Sequence, residues 1–297
     1  MKSFNLSLNK VLLLVSFIMF IAAGNSQNKN VFMGFIKIKD TLLIKYKVEF
    51  ESVNGNVSGY SLTDFGGEHE TKSKIVGNYN EEKNLLSFKE VGLIYTKSNY
   101  AEQDFCNIHL EPTKFKLGGT KLMGEFKGRF SDGTECIHGE LAMNSIEKID
   151  KRVTKFKNKL QKSNRVPDSI KQQIKNLKLA DTLNFNILKK DEVTSVITSA
   201  NTITCTVYDG GQIDNDIITV YLNDKIVLYK YVISDQRKIL NLPITEKKSR
   251  IKIKSESVGN IGENTTYFII SDKANTVKTV TNLKLGEITN VDIIKKE

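Results

Sequence analysis

Tryptophan is absent from this chain, and proline, cysteine and histidine occur three times each. Three histidines without an H-E-x-x-H or other ligand spacing give no zinc signature. Three cysteines leave room for one disulfide and one further thiol. There is no G-x-S-x-G, no G-x-G-x-x-G after a strand and no G-K-[ST], so no complete hydrolase, dinucleotide or P-loop motif is present. Beyond residue 23 no stretch is apolar for the roughly 18 residues of a membrane span, so no later transmembrane helix is expected. The scarcity of proline goes with abundant Tyr, Phe, Ile, Val and Thr, which favours strands.

The first residues read differently from the rest. Lys2 and Lys10 are the only charges before an apolar run, Val11–Ala23, followed by Ala22, Ala23, Gly24 and Ser26 as small residues. This pattern predicts a signal peptide over 1–26, cleaved before Gln27, and a secreted or periplasmic protein. An uncleaved N-terminal anchor is the alternative. No Cys follows the run, which disfavours a lipid-anchored form.

The formal net charge is +10, but it is unevenly placed. Lys148 to Lys178 holds 11 basic and 2 acidic residues, so the basicity belongs to one segment. A nucleic-acid argument from the overall pI would mislead, and no specific nucleic acid is expected as a partner.

Residues 27–144 are predicted to be a β-meander. LLIKYKVEF alternates: Leu42, Ile44, Tyr46, Val48 and Phe50 on one face, Lys45, Lys47 and Glu49 opposite. Asn54-Gly55, Gly66-Gly67, Asn80-Glu81, Gly118-Gly119 and Asp132-Gly133 mark turns. Eight strands would close a small up-and-down barrel. Residues 145–200 are predicted to be a basic helical linker. Ile146, Ile149, Val153, Phe156 and Leu160 form a helical stripe, with Asn144 and Glu147 as a capping box and Pro167 opening a second helix. Residues 201–297 return to short strands, including a hairpin at Asn223-Asp224, and predict an antiparallel β-sandwich. The fold class is therefore mostly β, with short basic amphipathic helices between two β units.

Few residues suggest chemistry. Asp209, Asp214 and Asp216 surround Gly210-Gly211 and could supply oxygens to calcium, the one cofactor considered; a self-satisfied Asp/Gly turn is the alternative. Cys106 and Cys136 are the expected disulfide pair, since both fall in strands of one unit and Cys205 lies in the other; three reduced, buried cysteines are the alternative. Lys151, Lys155, Lys159 and Lys162 beside the apolar stripe form a basic surface suited to an anionic envelope component; solvated lysines over a packed stripe are the bland reading. His69, His109 and His138 sit in separate segments.

The run from Val207 through Tyr221-Leu222-Asn223, with Tyr208-Asp209, Asp214-x-Asp216 and the Gly262-Glu263-Asn264-Thr265 turn, resembles a β-sandwich module of secreted Bacteroidetes-type proteins. Gly77, Phe88-Lys89-Glu90, Phe105-Cys106, Leu122-x-Gly124 and Cys136-x-x-Gly139-x-Leu141 are similar to calycin-like meander barrels. The lipocalin Gly-x-Trp signature is missing. These resemblances imply location and architecture, and a ligand cavity by architecture alone.

The expected function is a non-enzymatic binding protein outside the cytoplasm, with a small apolar ligand in the barrel. The alternative is a structural or interaction protein of the cell envelope. An extracellular hydrolase comes third.

Overall fold

The computed structural model describes residues 29–99, 101, 104–163, 165–168, 171, 185–210, 215–259 and 264–296. The predicted signal peptide lies outside them. Among the described residues no helix is long and apolar enough to cross a membrane.

Eight strands follow in order: β1 (Asn30–Ile38), β2 (Leu42–Val53), β3 (Asn56–Thr63), β4 (Thr71–Asn80), β5 (Leu85–Thr96), β6 (Asn107–Lys114), β7 (Lys121–Arg129) and β8 (Glu135–Ser145). Each pairs antiparallel with the next, and β8 pairs with β1, so the meander closes into a barrel. Alternation sends Tyr46, Val48 and Phe50 of β2 inward, as the pattern predicts. An eight-stranded barrel is only wide enough for side chains to fill it. Phe115 is the centre of that filling at one end. Its ring meets Phe32, Phe50 and Tyr79 edge-on at 5.4, 5.8 and 6.3 Å. Tight coiling of the wall needs glycine at Gly77, where a Cβ would lie 2.0 Å from the Ser87 carbonyl oxygen.

The Cys106–Cys136 disulfide forms, with Cα atoms 6.1 Å apart. Cys106 lies just before β6 and Cys136 in β8, and the bridge passes over the strand between them. Gly128 of β7 makes room: a Cβ there would sit 2.3 Å from Cys106 Sγ and 3.1 Å from Cys136 Sγ. Cys205 is a buried free thiol, its pKa pushed up to about 12 by burial.

An α-helix of sixteen residues, α1 (Ile146–Gln161), leaves the end of β8. Its N-cap is Ser145, whose hydroxyl accepts the Lys148 amide; the expected cap, Asn144, instead accepts the Lys148 ammonium at 2.8 Å. No residue of α1 is buried. The second predicted helix falls largely outside the described residues.

Ten more strands make two sheets: β9 (Asn186–Leu188), β10 (Val193–Thr198), β11 (Thr202–Tyr208), β12 (Ile217–Leu222), β13 (Lys225–Val232), β14 (Lys238–Pro243), β15 (Lys248–Ser257), β16 (Tyr267–Ser271), β17 (Thr276–Thr281) and β18 (Ile288–Lys295). One sheet has the order β13-β12-β15-β18-β10, the other β14-β11-β16-β17-β9. They pack over a core that includes Val207, Val220, Ile253, Phe268 and Ile293. The hairpin at Asn223-Asp224 forms with both residues at positive φ, as a type I′ turn requires.

Two expectations need correction. Residues 186–198 fall inside the predicted helical linker, yet they form β9 and β10. The sandwich is also not wholly antiparallel, because β10 runs parallel to β18 and β9 parallel to β17. Val193–Thr198 hides its strand character because nearly every residue is buried, so no alternation marks it.

β5 joins the two units. Its first half pairs with β6, while Tyr95 and Thr96 at its end pair with Val196 and Ser195 of β10. The barrel wall thus continues into a sandwich sheet. Leu62, Ile94 and Tyr95 from the wall are buried in the same core as the sandwich residues. Where β5 leaves β6, the Glu90 side chain takes over the ladder. Its Oε2 accepts the Ile108 amide at 2.7 Å, and its Oε1 accepts the hydroxyls of Ser61 and of Tyr46, the latter at 3.1 Å. Burial raises the Glu90 pKa.

Candidate functional site: a lysine-lined cleft between barrel and sandwich

The outer faces of β2, β3, β4 and the end of β5 carry one row of side chains: Lys47, Leu62, Lys72 and Tyr95, register neighbours across the four strands. Alternation puts these residues outside the barrel, where solvent would ordinarily meet them. Here the sandwich covers the face. Lys47 is only 2% exposed. The covered face opens onto a cleft of ≈ 490 Å³.

The cleft wall comes from three places. Lys45, Lys47, Tyr60 and Lys72 come from the barrel staves. The β3–β4 loop adds Phe65 and Glu70, and is turned by positive φ at Asp64 and Gly66. Phe185, Ile187, Lys189 and Glu192 come from the chain entering the sandwich, opposite Lys97.

Two of the cleft carboxylates, Glu70 and Glu192, are engaged. Glu70 accepts the Tyr95 hydroxyl at 2.7 Å and the Gly66 amide. Glu192 accepts the Lys97 ammonium and the Lys189 amide, both at 3.2 Å. Lys97 also donates to the Ile187 carbonyl at 2.8 Å, which ties β5 to the start of β9. Just beside the cleft, Glu49 accepts from Tyr60 and from Lys29. Burial pushes the Glu49 pKa up, but Tyr60, Lys29 and Lys47 together hold it below the ordinary value.

Two ammonium groups meet aromatic faces. Lys72 Nζ stands 3.8 Å from the centroid of the Tyr60 ring, and Lys45 Nζ 5.8 Å from that of Phe65. Among the described residues no carboxylate forms an ion pair with Lys72. Burial depresses its pKa to about 8, helped by the positive charges of Lys47 and Lys278 and opposed by Glu49 and Glu70. Burial also lowers Lys47, against the pull of Glu49 and Glu70. Five lysines therefore line the cleft against Glu68, Glu70 and Glu192, with Glu49 just beside it 4.0 Å from the Lys47 ammonium. In a partly dry site such an excess attracts anions, and the rings of Tyr60 and Phe65 offer flat apolar contact beside it.

No protein family, curated protein or solved structure matches this chain. The site therefore rests on its own geometry.

The residues singled out from sequence lie elsewhere. Asp209 and Asp216 are buried, and Asp216 Oδ2 accepts the Thr265 amide at 2.9 Å. Asp214 lies outside the described residues. Among the described residues no group of three or more His, Cys, Asp or Glu is placed to hold a metal ion. The histidines are apart: His69 Nδ1 is 3.2 Å from Ser98 Oγ, and His138 Nδ1 is 3.6 Å from Glu135 Oε1. Lys151, Lys155 and Lys159 are exposed on α1, and Lys162 is exposed at its C-cap. A larger groove of ≈ 700 Å³ lies near α1, lined by turn residues and by Lys29, Glu147 and Lys151. It gathers no buried charged side chain, which is why the cleft is the stronger site.

The sequence signal for the cleft was available but ambiguous. Lys45, Lys47 and Glu49 alternate as solvent-facing residues do, and what covers them comes from over a hundred residues later.

Proposed function

We propose that this is a non-enzymatic binding protein acting outside the cytoplasm, and that its ligand site is the cleft and not the barrel lumen. The ligand is an anionic small molecule bearing a carboxylate, sulfate or phosphate, with a flat or ring portion for Tyr60 and Phe65. The single observation behind this reading is the Lys72 ammonium. It is partly buried, faces an aromatic ring, and has no carboxylate in ion-pair contact among the described residues. Such a charge costs free energy in the empty site and is stabilised when an anion arrives. The lumen is occupied by aromatic and aliphatic side chains, which gives an apolar guest little room. The disulfide and the N-terminal apolar run support an oxidising location.

The test is calorimetric titration with a panel of anions, from inorganic phosphate to acidic sugars. The best binder is expected to weaken about tenfold on Lys72→Met, a loss of ~1.4 kcal/mol. Affinity should also fall as pH rises through about 8, because Lys72 then loses the charge that the anion needs. Binding that ignores both the substitution and the pH change would overturn the assignment.

An envelope-interaction role is the second reading. It is favoured by α1, where Phe156 is 61% exposed on a helix studded with outward lysines.

A further inference from the structure

We infer that Lys72 is a covalent capture site, whose amine forms a reversible imine with an aldehyde or ketone carried by an anionic ligand in the cleft. The inference rests on the binding role proposed above and names the ligand class more narrowly: a carbonyl compound with a carboxylate or phosphate near the carbonyl.

Three features converge on it. The first is position. Lys72 lines the cleft from the middle of the covered barrel face, and its Nζ stands over the Tyr60 ring. A lysine held in a carboxylate ion pair keeps its proton and its amine is blocked; this one has an aromatic face in that place. The second is company. Lys47 lies in the same register row, one strand beyond Leu62, and adds a second positive charge to the same pocket wall. A desolvated amine beside another cation is a recognised way to activate a lysine nucleophile. Lys45, exposed on the same cleft wall, is the cation that would hold the ligand's anionic group next to the carbonyl carbon. The third is proton supply. Burial and the neighbouring cations bring Lys72 to a pKa of about 8, so near neutrality a usable share of the amine is uncharged.

The chemistry balances without another reagent. The neutral amine adds to the carbonyl carbon, forming the C–N bond, and a proton passes to the oxygen to give a carbinolamine. Loss of that oxygen as water leaves the C=N bond. Amine and carbonyl enter, imine and water leave, and nothing is oxidised or reduced. Water added back releases the ligand unchanged.

Glyoxylate and oxalate make the test. Both are small carboxylates, and only glyoxylate carries an aldehyde. The folded protein is treated with glyoxylate and cyanoborohydride near neutral pH, and carboxymethylated lysines are mapped by peptide mass spectrometry. Lys72 should be modified about tenfold faster than the surface lysines of α1, and excess oxalate should slow it. Lys72→Arg removes the nucleophile, so labelling in the cleft should disappear in that variant while the surface lysines still react. Even labelling across surface lysines, with oxalate still bound in the cleft, would overturn the capture site and leave the binding role standing. In the wild-type protein, absence of both oxalate binding and Lys72 labelling would overturn both. Labelling of Lys72 that oxalate does not slow would also count against capture through an anion-filled cleft.

Discussion

At the scale of single residues, Glu90 decides whether the barrel can release one of its staves. Its carboxyl receives the Ile108 amide, which the departing β5 no longer pairs, together with the hydroxyls of Tyr46 and Ser61. Replacing it by leucine strands those groups in a buried place, at a cost of about 3 kcal/mol. Glutamine keeps the shape and much of the bonding, and should cost far less. The pH profile separates charge from bonding. Burial raises the folded-state pKa above the ordinary 4.5, so between those values the folded protein holds a proton that the unfolded chain has released. Stability then falls as pH rises through that window, and Glu90→Gln should flatten the slope. Urea melts of wild type and variant across mildly acid to neutral pH check this. A slope that survives in the glutamine variant would assign the effect to other groups.

Gly128 poses a similar residue-scale question. A methyl there runs into both sulfurs of the bridge. Gly128→Ala should lower stability by ~2 kcal/mol and speed reduction of the disulfide by a mild thiol. Reducing the native bridge alone, which spans a sequence separation of 30, should cost about 3–4 kcal/mol on the chain-entropy account. Thiol titration alongside thermal melts measures both effects.

Among the elements, legibility followed the pattern of burial. β2 was readable because one face is buried and the other carries Lys45, Lys47 and Glu49. The β12–β13 hairpin was readable because Asn-Asp suits positive φ. Cys106 and Cys136 were readable as a pair because they belong to one meander. β10 was not, since its two partners leave it buried almost throughout and erase the period of two. Nor was its parallel run beside β18, which depends on a partner nearly a hundred residues away. The cleft failed for the same reason. Alternation tells which face of β2 points outward, and it cannot tell what arrives to cover that face. The helix start was missed by one position, Ser145 for Asn144, within the usual spread of helix boundaries.

On the scale of the whole molecule, the barrel and sandwich share backbone hydrogen bonds and one stretch of apolar core. Two units joined this way should not melt separately. Scanning calorimetry is expected to give one transition, with calorimetric and van't Hoff enthalpies in agreement. Two resolved peaks would mean that the β5–β10 pairing adds little. A substitution that burdens the junction, such as Val196→Asp, should split that transition or lower it as a whole, since an unpaired carboxylate there enters the shared core.

The strand held in common has a further consequence for how a ligand is met. Many clefts between two lobes close like jaws, and their rates of capture are set by the hinge. Here the two lobes share strand pairing at the end of β5 and one stretch of apolar core, which resists swinging about the junction. An anion bound there as proposed would meet a preformed cradle and spend little free energy on ordering it. Capture should therefore run at the pace of diffusion and charge attraction, and added salt, more than temperature, should slow it.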